Sequence, residues 1–131
     1  MKKIFYLLSF ISLISFASFA QDDEGGRMPE KMAEYIASKL ELSKSENEKF
    51  KPTFLEYLKE LRKTTVTNRG DRLVLQQQIV ELRLRYRDIF KSQIGEKKSN
   101  EVFFHEREFI REVQELRRER RGNQKRNLDQ L

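Results

Sequence analysis

The feature that most constrains the fold is the spacing of apolar residues, which recur every three or four positions along most of the chain after residue 27. This period places apolar side chains along one side of an α-helix. The chain has only five glycines and two prolines, which argues against many strands joined by tight turns. We therefore predict an all-α fold of four amphipathic helices arranged in long hairpins.

The first two predicted helices begin at residues that favour a helix start. Pro29 suits a first turn, and Ser43 with Glu46 forms a capping box, in which the hydroxyl accepts from the Glu46 N–H and the carboxylate reaches back. Pro52 lies inside the second helix, where we expect a bend or a lost hydrogen bond. The apolar residues are Met28, Met32, Tyr35, Ile36 and Leu40 in the first helix, and Phe50, Phe54, Tyr57, Leu58 and Leu61 in the second.

The third predicted helix follows a loop at Thr64–Gly70, whose residues are poor helix formers, and has Asp71 as its N-cap. Residues 82–87 also alternate with a period of two, which leaves a strand as the alternative. The helical period extends over the longer window. It forms a coiled-coil-like seam of Leu75, Ile79, Leu82, Tyr86 and Ile89, widened by Leu73, Val80, Leu84 and Phe90.

The fourth predicted helix begins near Glu96 or Ser99, after a break at Gly95, and ends at Arg121, because Gly122 is a natural C-terminal stop. The polar residues 122–131 are predicted to be a disordered tail. The apolar stripe of this helix comprises Val102, Phe103, Phe109, Ile110, Val113 and Leu116.

The N-terminus has the pattern of a secretory signal peptide at residues 1–20. Two lysines precede an apolar run from Ile4 to Phe16, and Ser18 and Ala20 are small residues at the cleavage positions. The alternative is an uncleaved anchor helix, for which the run is short. We expect an exported, periplasmic protein with a disordered lead-in at 21–27 and a helical domain at 28–121. The absence of cysteine excludes disulfides.

Basic side chains recur at helical spacing in the last two helices of a chain whose net charge is +6. Export argues against nucleic acid as the partner and favours anionic proteins or, more weakly, an anionic surface. The alternative is a solvated face balanced by nearby glutamates. The candidate binding residues are Arg83, Arg87, Lys91, Arg107 and Arg111, with the aromatic residues Tyr86, Phe90 and Phe103 close to them in the sequence.

We expect neither a catalytic site nor a cofactor. No serine occupies a glycine-rich elbow, and the single histidine has no evident serine partner. His105 has Glu101 and Glu108 at helical spacing, but so small a ligand set is not specific for a metal, and the same holds for the Met28 and Met32 pair. We therefore predict no metal site.

The capping region carries a resemblance to a known family. Leu42-Ser43-Lys44-Ser45-Glu46 reads L-S-x-x-E and resembles the motif of the periplasmic LTxxQ family, which includes the Spy and CpxP stress proteins. The expected second copy is not matched at Ile94–Lys98. Glu106-Arg107-Glu108-Phe109 resembles a run in small exported relatives, some of which are labelled sensors of sigma factors of the extracytoplasmic-function (ECF) type.

The resemblance implies a hairpin-built protomer that dimerises into an antiparallel, cradle-like assembly. It implies a holding chaperone that works without ATP, or an envelope-stress protein, that binds unfolding clients through basic and apolar helix faces. The alternative is a regulatory or sensor subunit that binds one membrane-bound sensor or anti-sigma partner. Long hairpins in a chain of this size leave apolar surface exposed, which fits a homodimer or an open binding surface.

Overall fold

The computed structural model describes residues 24–130 and contains four α-helices in that range. No strand occurs within it, so the all-α prediction is confirmed, and residues 82–87 are helical. The predicted signal peptide, residues 1–20, lies outside the described residues. The helices are α1 (Glu24–Lys39), α2 (Lys44–Thr67), α3 (Arg72–Ile94) and α4 (Glu96–Leu128).

The helices form a closed antiparallel bundle. Consecutive helices pack against each other, and α1 packs against α4 to complete the ring. The antiparallel arrangement is visible in the cross-links between α2 and α3, where Gln93 donates to Thr53 and Arg85 donates to Glu60. Short connections between helices favour this topology. The bundle brings the middle of α2, α3 and α4 together around one core.

The core is dominated by aromatic rings from three helices. Phe90 of α3 is fully buried, and its ring centroid lies 5.1–6.3 Å from those of Phe50, Phe54, Tyr86 and Phe103. Ring pairs at these separations stabilise the fold by more than the burial of their apolar area alone. Helix α1 covers the remaining side with the small and branched residues Ala33, Ile36 and Ala37, together with Leu40 just after its end.

The predicted helix caps of α2 and α3 are confirmed. Ser43 accepts from the Glu46 N–H at 3.1 Å, and the Glu46 carboxylate accepts from the Ser43 N–H at 3.2 Å. Asp71 accepts from the N–H groups of Leu73 and Val74. Lys98 of α4 also pairs with Glu46 at 3.1 Å. The hydrogen bond from the Ser43 N–H, followed by the one from Lys98, lowers the pKa of the Glu46 carboxyl. The ion pair with Lys98 also ties the start of α2 to α4.

The connection between α3 and α4 is the single residue Gly95. Its φ of 88° and ψ of 166° lie in a region that only glycine adopts without strain. Its N–H donates to the Lys91 carbonyl, and its carbonyl accepts from the Ser99 N–H. Gly95 thus reverses the chain within one residue and fixes which residues of α3 and α4 face each other.

The structure corrects three predicted boundaries, because the helices are longer than expected. Glu24–Arg27, predicted to be disordered, is the start of α1, and Pro29 lies inside that helix. The predicted loop is shorter than expected, because α2 continues to Thr67. The Thr65 hydroxyl donates to the Leu61 carbonyl, and Asn68 donates to the Thr64 carbonyl through both its backbone N–H and its side-chain amide.

The third correction concerns the end of α4, which continues to Leu128 instead of ending before Gly122. A glycine inside a helix costs only about 1 kcal/mol. The neighbouring arginine, glutamine and lysine residues favour helix, so the predicted disordered tail is mostly the last turns of α4.

Candidate functional site

A buried polar network lies at the centre of the bundle and joins three helices. Glu106 of α4 is only 1% exposed. Its Oε2 accepts from the Tyr57 hydroxyl at 2.8 Å, and its Oε1 accepts from the Arg83 guanidinium at 3.0 Å. Arg83 Nε also donates to the Tyr57 hydroxyl at 3.3 Å. Both carboxylate oxygens are therefore satisfied, as a buried charge requires.

Burial and close contacts determine which groups of the network are charged. Burial, followed by the charge of the Glu106 carboxylate, raises the pKa of the Tyr57 hydroxyl, so this phenol remains a neutral donor. Burial alone disfavours the charge on Arg83, but Tyr57 and Glu106 outweigh it and raise the pKa of the guanidinium. Arg83 is thus held as a cation whose partner belongs to the same protomer.

The structure places Arg83, Tyr86, Phe90 and Phe103, four of the predicted binding residues, in or against the core. Tyr86 is 4% exposed and donates to Glu60 at 2.6 Å, and Phe90 is fully buried. Phe103 is half-buried, and the Arg83 guanidinium carbon lies over its ring, 5.7 Å from the ring centroid. The prediction that Tyr86 and Phe90 offer apolar contact to a partner is therefore wrong for this protomer, because the core occupies both rings.

The remaining four predicted residues, Arg87, Lys91, Arg107 and Arg111, are exposed on α3 and α4. Lys91 lies 3.4 Å from the Glu96 carboxylate. Between residues 24 and 130, none of the ion pairs involves the other three. These three guanidinium groups therefore remain available to an external anion.

Exposed apolar side chains accompany these cations. Val80, Leu84 and Arg87 have the spacing i, i+4 and i+7, so they share one side of α3, with Leu73 two turns earlier. Val80 is 55% exposed, Leu84 46% and Leu73 78%. We call the following residues the outer face: Leu73, Val80, Leu84 and Arg87 of α3, with Phe104, Arg107, Ile110 and Arg111 of α4.

The sequence pattern placed Leu73, Val80 and Leu84 on the same apolar face as Leu82, Tyr86 and Phe90, and the structure corrects this assignment. The buried side of α3 comprises Leu82, Tyr86, Phe90 and Ile94, each four residues after the last. Leu84 follows Leu82 by two residues, which is about 200° around a helix with 3.6 residues per turn, so Leu73, Val80 and Leu84 lie on a different side of α3 from the buried series. Separating the two series by angle, instead of merging them into one broad face, would have identified the exposed stripe.

The single histidine has one close acidic neighbour. His105 Nδ1 lies 2.7 Å from the Glu108 carboxylate, whereas Glu101 is exposed. Over residues 24–130, no group of three or more potential ligands is close enough together to hold a metal ion. The His105–Glu108 contact is therefore a local pair within α4.

Hydropathy of the helices and comparison with known proteins add two findings. Among residues 24–130, none of the helices is long and apolar enough to cross a membrane. Comparison of the chain with protein-family models, curated proteins and solved structures gives no match.

Proposed function

We propose that this protein is a periplasmic holding chaperone of the Spy/CpxP type that works without ATP and binds unfolding clients on its outer face. The observation that carries the proposal is the clustering of exposed Val80 and Leu84 beside Arg87, a cation that takes part in no ion pair within residues 24–130. Apolar side chains grouped on a surface mark interaction sites more often than scattered ones do.

The mixed character of the outer face suits transient binding of many sequences. Guanidinium groups attract acidic segments over a distance and speed encounter. Exposed leucine, valine and phenylalanine side chains then retain the apolar segments that unfolding uncovers. The core is packed independently of these residues, so the protein can bind a client without exposing its own interior.

The purified protein should suppress aggregation of an unfolding client without ATP, as measured by light scattering. We expect suppression at a stoichiometric dose that weakens as salt is raised from about 0.01 M to 1 M, since the Debye length falls from about 30 Å to 3 Å. Absence of suppression at every salt concentration would contradict the proposal. It would favour a regulatory subunit with a single dedicated partner.

The contribution of the apolar side chains can be tested with matched variants. Val80→Ser combined with Leu84→Ser should weaken suppression at high salt, where charge steering is screened. The control combines Val66→Ser with Leu128→Ser, which removes two apolar side chains, 51% and 64% exposed, from outside the outer face. Equal losses in both double variants would show that the outer face has no special role.

A further inference from the structure

A groove between α1 and α4 lies apart from the outer face and shares no residue with it. It encloses about 300 Å³, which is at the lower end of the range for small-molecule sites. A groove of this size is larger than a site for a single inorganic ion requires. Its lining consists of Met28 and Lys31 from α1 and Phe109, Val113, Leu116, Arg117 and Arg120 from α4.

The groove is lined by apolar side chains, and its two arginines come from the last part of α4 that reaches it. Arg117 and Arg120 are three residues apart, so they lie on the same side of α4, and Lys31 reaches the groove from α1. No ion pair in the described part of the chain includes any of these three side chains. Cations held close together repel each other, and a bound anion would relieve that repulsion.

The opposite end of the groove is unsuited to an anion. The Phe109 ring meets the Tyr35 ring at 5.4 Å, and the Tyr35 hydroxyl donates to Glu112 at 2.9 Å. Burial, followed by the hydrogen bond to Glu112, raises the pKa of Tyr35 to about 12. A carboxylate is thus already placed near that end, so a ligand with one negative charge would direct it towards Arg117 and Arg120.

The lining also indicates the chemical class of the uncharged part of the ligand. Met28, Phe109, Val113 and Leu116 provide apolar surface, and the three cations provide only donors. A peptide in the groove would leave its N–H groups without acceptors, which is costly when they are removed from water. An alkyl chain has no such requirement and gains from each methylene that it buries.

From this geometry we propose that the groove binds a single-chain fatty carboxylate. The carboxylate lies between Arg117 and Arg120, whose planar guanidinium groups can each hold it with two hydrogen bonds. Lys31 adds a third cation, and the alkyl chain runs over Val113 towards Phe109. This site is independent of the proposed chaperone activity, because the two surfaces have no residue in common.

Isothermal titration calorimetry with dodecanoate, kept below its critical micelle concentration, tests the site in the purified wild-type protein. We expect saturable binding of one molecule per chain. Dodecyltrimethylammonium, which has the same tail and the opposite charge, should bind much more weakly. Absence of dodecanoate binding, or equal binding of the two amphiphiles, would overturn the proposal.

Matched arginine variants locate the site. Arg117→Gln combined with Arg120→Gln should weaken dodecanoate binding by about tenfold or more, because the carboxylate loses both charged hydrogen-bond donors on α4. Arg118→Gln combined with Arg121→Gln removes the same charge from the same helix, but neither residue lines the groove. Equal weakening in both double variants would mean that charge alone attracts the ligand, and would overturn the assignment to this groove.

Discussion

Arg83 and Arg87 are one helical turn apart on α3, yet they belong to different regions of the molecule. Arg83 bonds to buried Glu106 and to Tyr57 in the central network. Arg87 is exposed and takes part in no ion pair among residues 24–130. In the sequence they form one basic series with Lys91, and the structure divides this series into an internal member and external members.

The difference between these arginines comes from the helix that faces each of them. Gly95 sets the register of α3 against α4, and that register places Glu106 opposite Arg83. A basic series therefore acquires a structural or a binding role according to its tertiary partners, not according to its own spacing. The predictions below test whether the inner and outer regions are as separate as this comparison implies.

The largest effect on stability should come from removing a ring of the core. Phe90→Ala should lower the free energy of unfolding by about 3–5 kcal/mol, the usual cost of truncating a buried aromatic side chain. Phe104→Ala removes the same atoms from a ring that is 51% exposed, and should cost less than about 1 kcal/mol. Urea denaturation measures both values. Equal losses would show that the outer ring also supports the fold.

Breaking the buried network should have the next largest effect. Glu106→Ala should lower the free energy of unfolding by about 3 kcal/mol, since Arg83 and the Tyr57 hydroxyl lose their shared acceptor. Glu101→Ala on the exposed side of α4 is the control and should stay within about 0.5 kcal/mol of the wild type. A neutral result for Glu106→Ala in urea denaturation would mean that the network does not stabilise the bundle.

A smaller effect should follow from straining the turn that aligns α3 with α4. Gly95→Ala should cost about 2 kcal/mol, because its φ of 88° and ψ of 166° are unfavourable for alanine. The added methyl group meets no atom within 4 Å, so the cost arises in the backbone. Gly70→Ala also meets nothing within 4 Å, has no positive φ, and should be close to neutral. Similar thermal unfolding midpoints for the two variants would contradict this explanation.

The smallest effect is on the pH dependence of stability, and it should appear only at alkaline pH, where Tyr57 can lose its proton. The pKa of Tyr57 is raised in the folded state from its ordinary value of 10.0. Above that value the unfolded chain binds fewer protons than the folded chain, so the free energy of unfolding should fall as pH rises. Below it, Tyr57 should contribute no pH dependence.

Tyr57→Phe should reduce the alkaline loss of stability, as followed by urea denaturation at a series of pH values. Tyr35→Phe is a useful comparison, because Tyr35 lies outside the network and its pKa of about 12 gives a separate alkaline contribution. An unchanged alkaline slope in Tyr57→Phe would show that this phenol does not titrate differently in the folded and unfolded protein.

Local signals in the sequence predicted much of the fold. The capping box at Ser43 and the N-cap at Asp71 depend on residues within three positions, and both were predicted correctly. Gly122 failed as a helix stop, because a stop depends on whether the chain takes a left-handed turn there, and the surrounding helix formers outweighed the glycine.

The division between inner and outer residues could be predicted only in part. The spacing of Leu82, Tyr86 and Phe90 was visible in the sequence, but so was that of Leu73, Val80 and Leu84, and composition does not say which series faces the core. The pairing of Arg83 with Glu106 joins residues 23 positions apart and depends on the register set at Gly95. Such long-range pairing has no local signature.

The most direct test of the separation between the two regions is client aggregation, measured by light scattering, with two arginine variants. Arg83→Gln, assayed well below its unfolding temperature, should suppress aggregation as the wild type does. The triple variant Arg87→Gln, Arg107→Gln and Arg111→Gln should lose most of the suppression. A control triple, Arg62→Gln, Arg69→Gln and Arg72→Gln, removes the same charge elsewhere and should retain it. Full suppression by the outer-face triple, or loss of suppression in folded Arg83→Gln, would contradict the assignment of binding to the outer face.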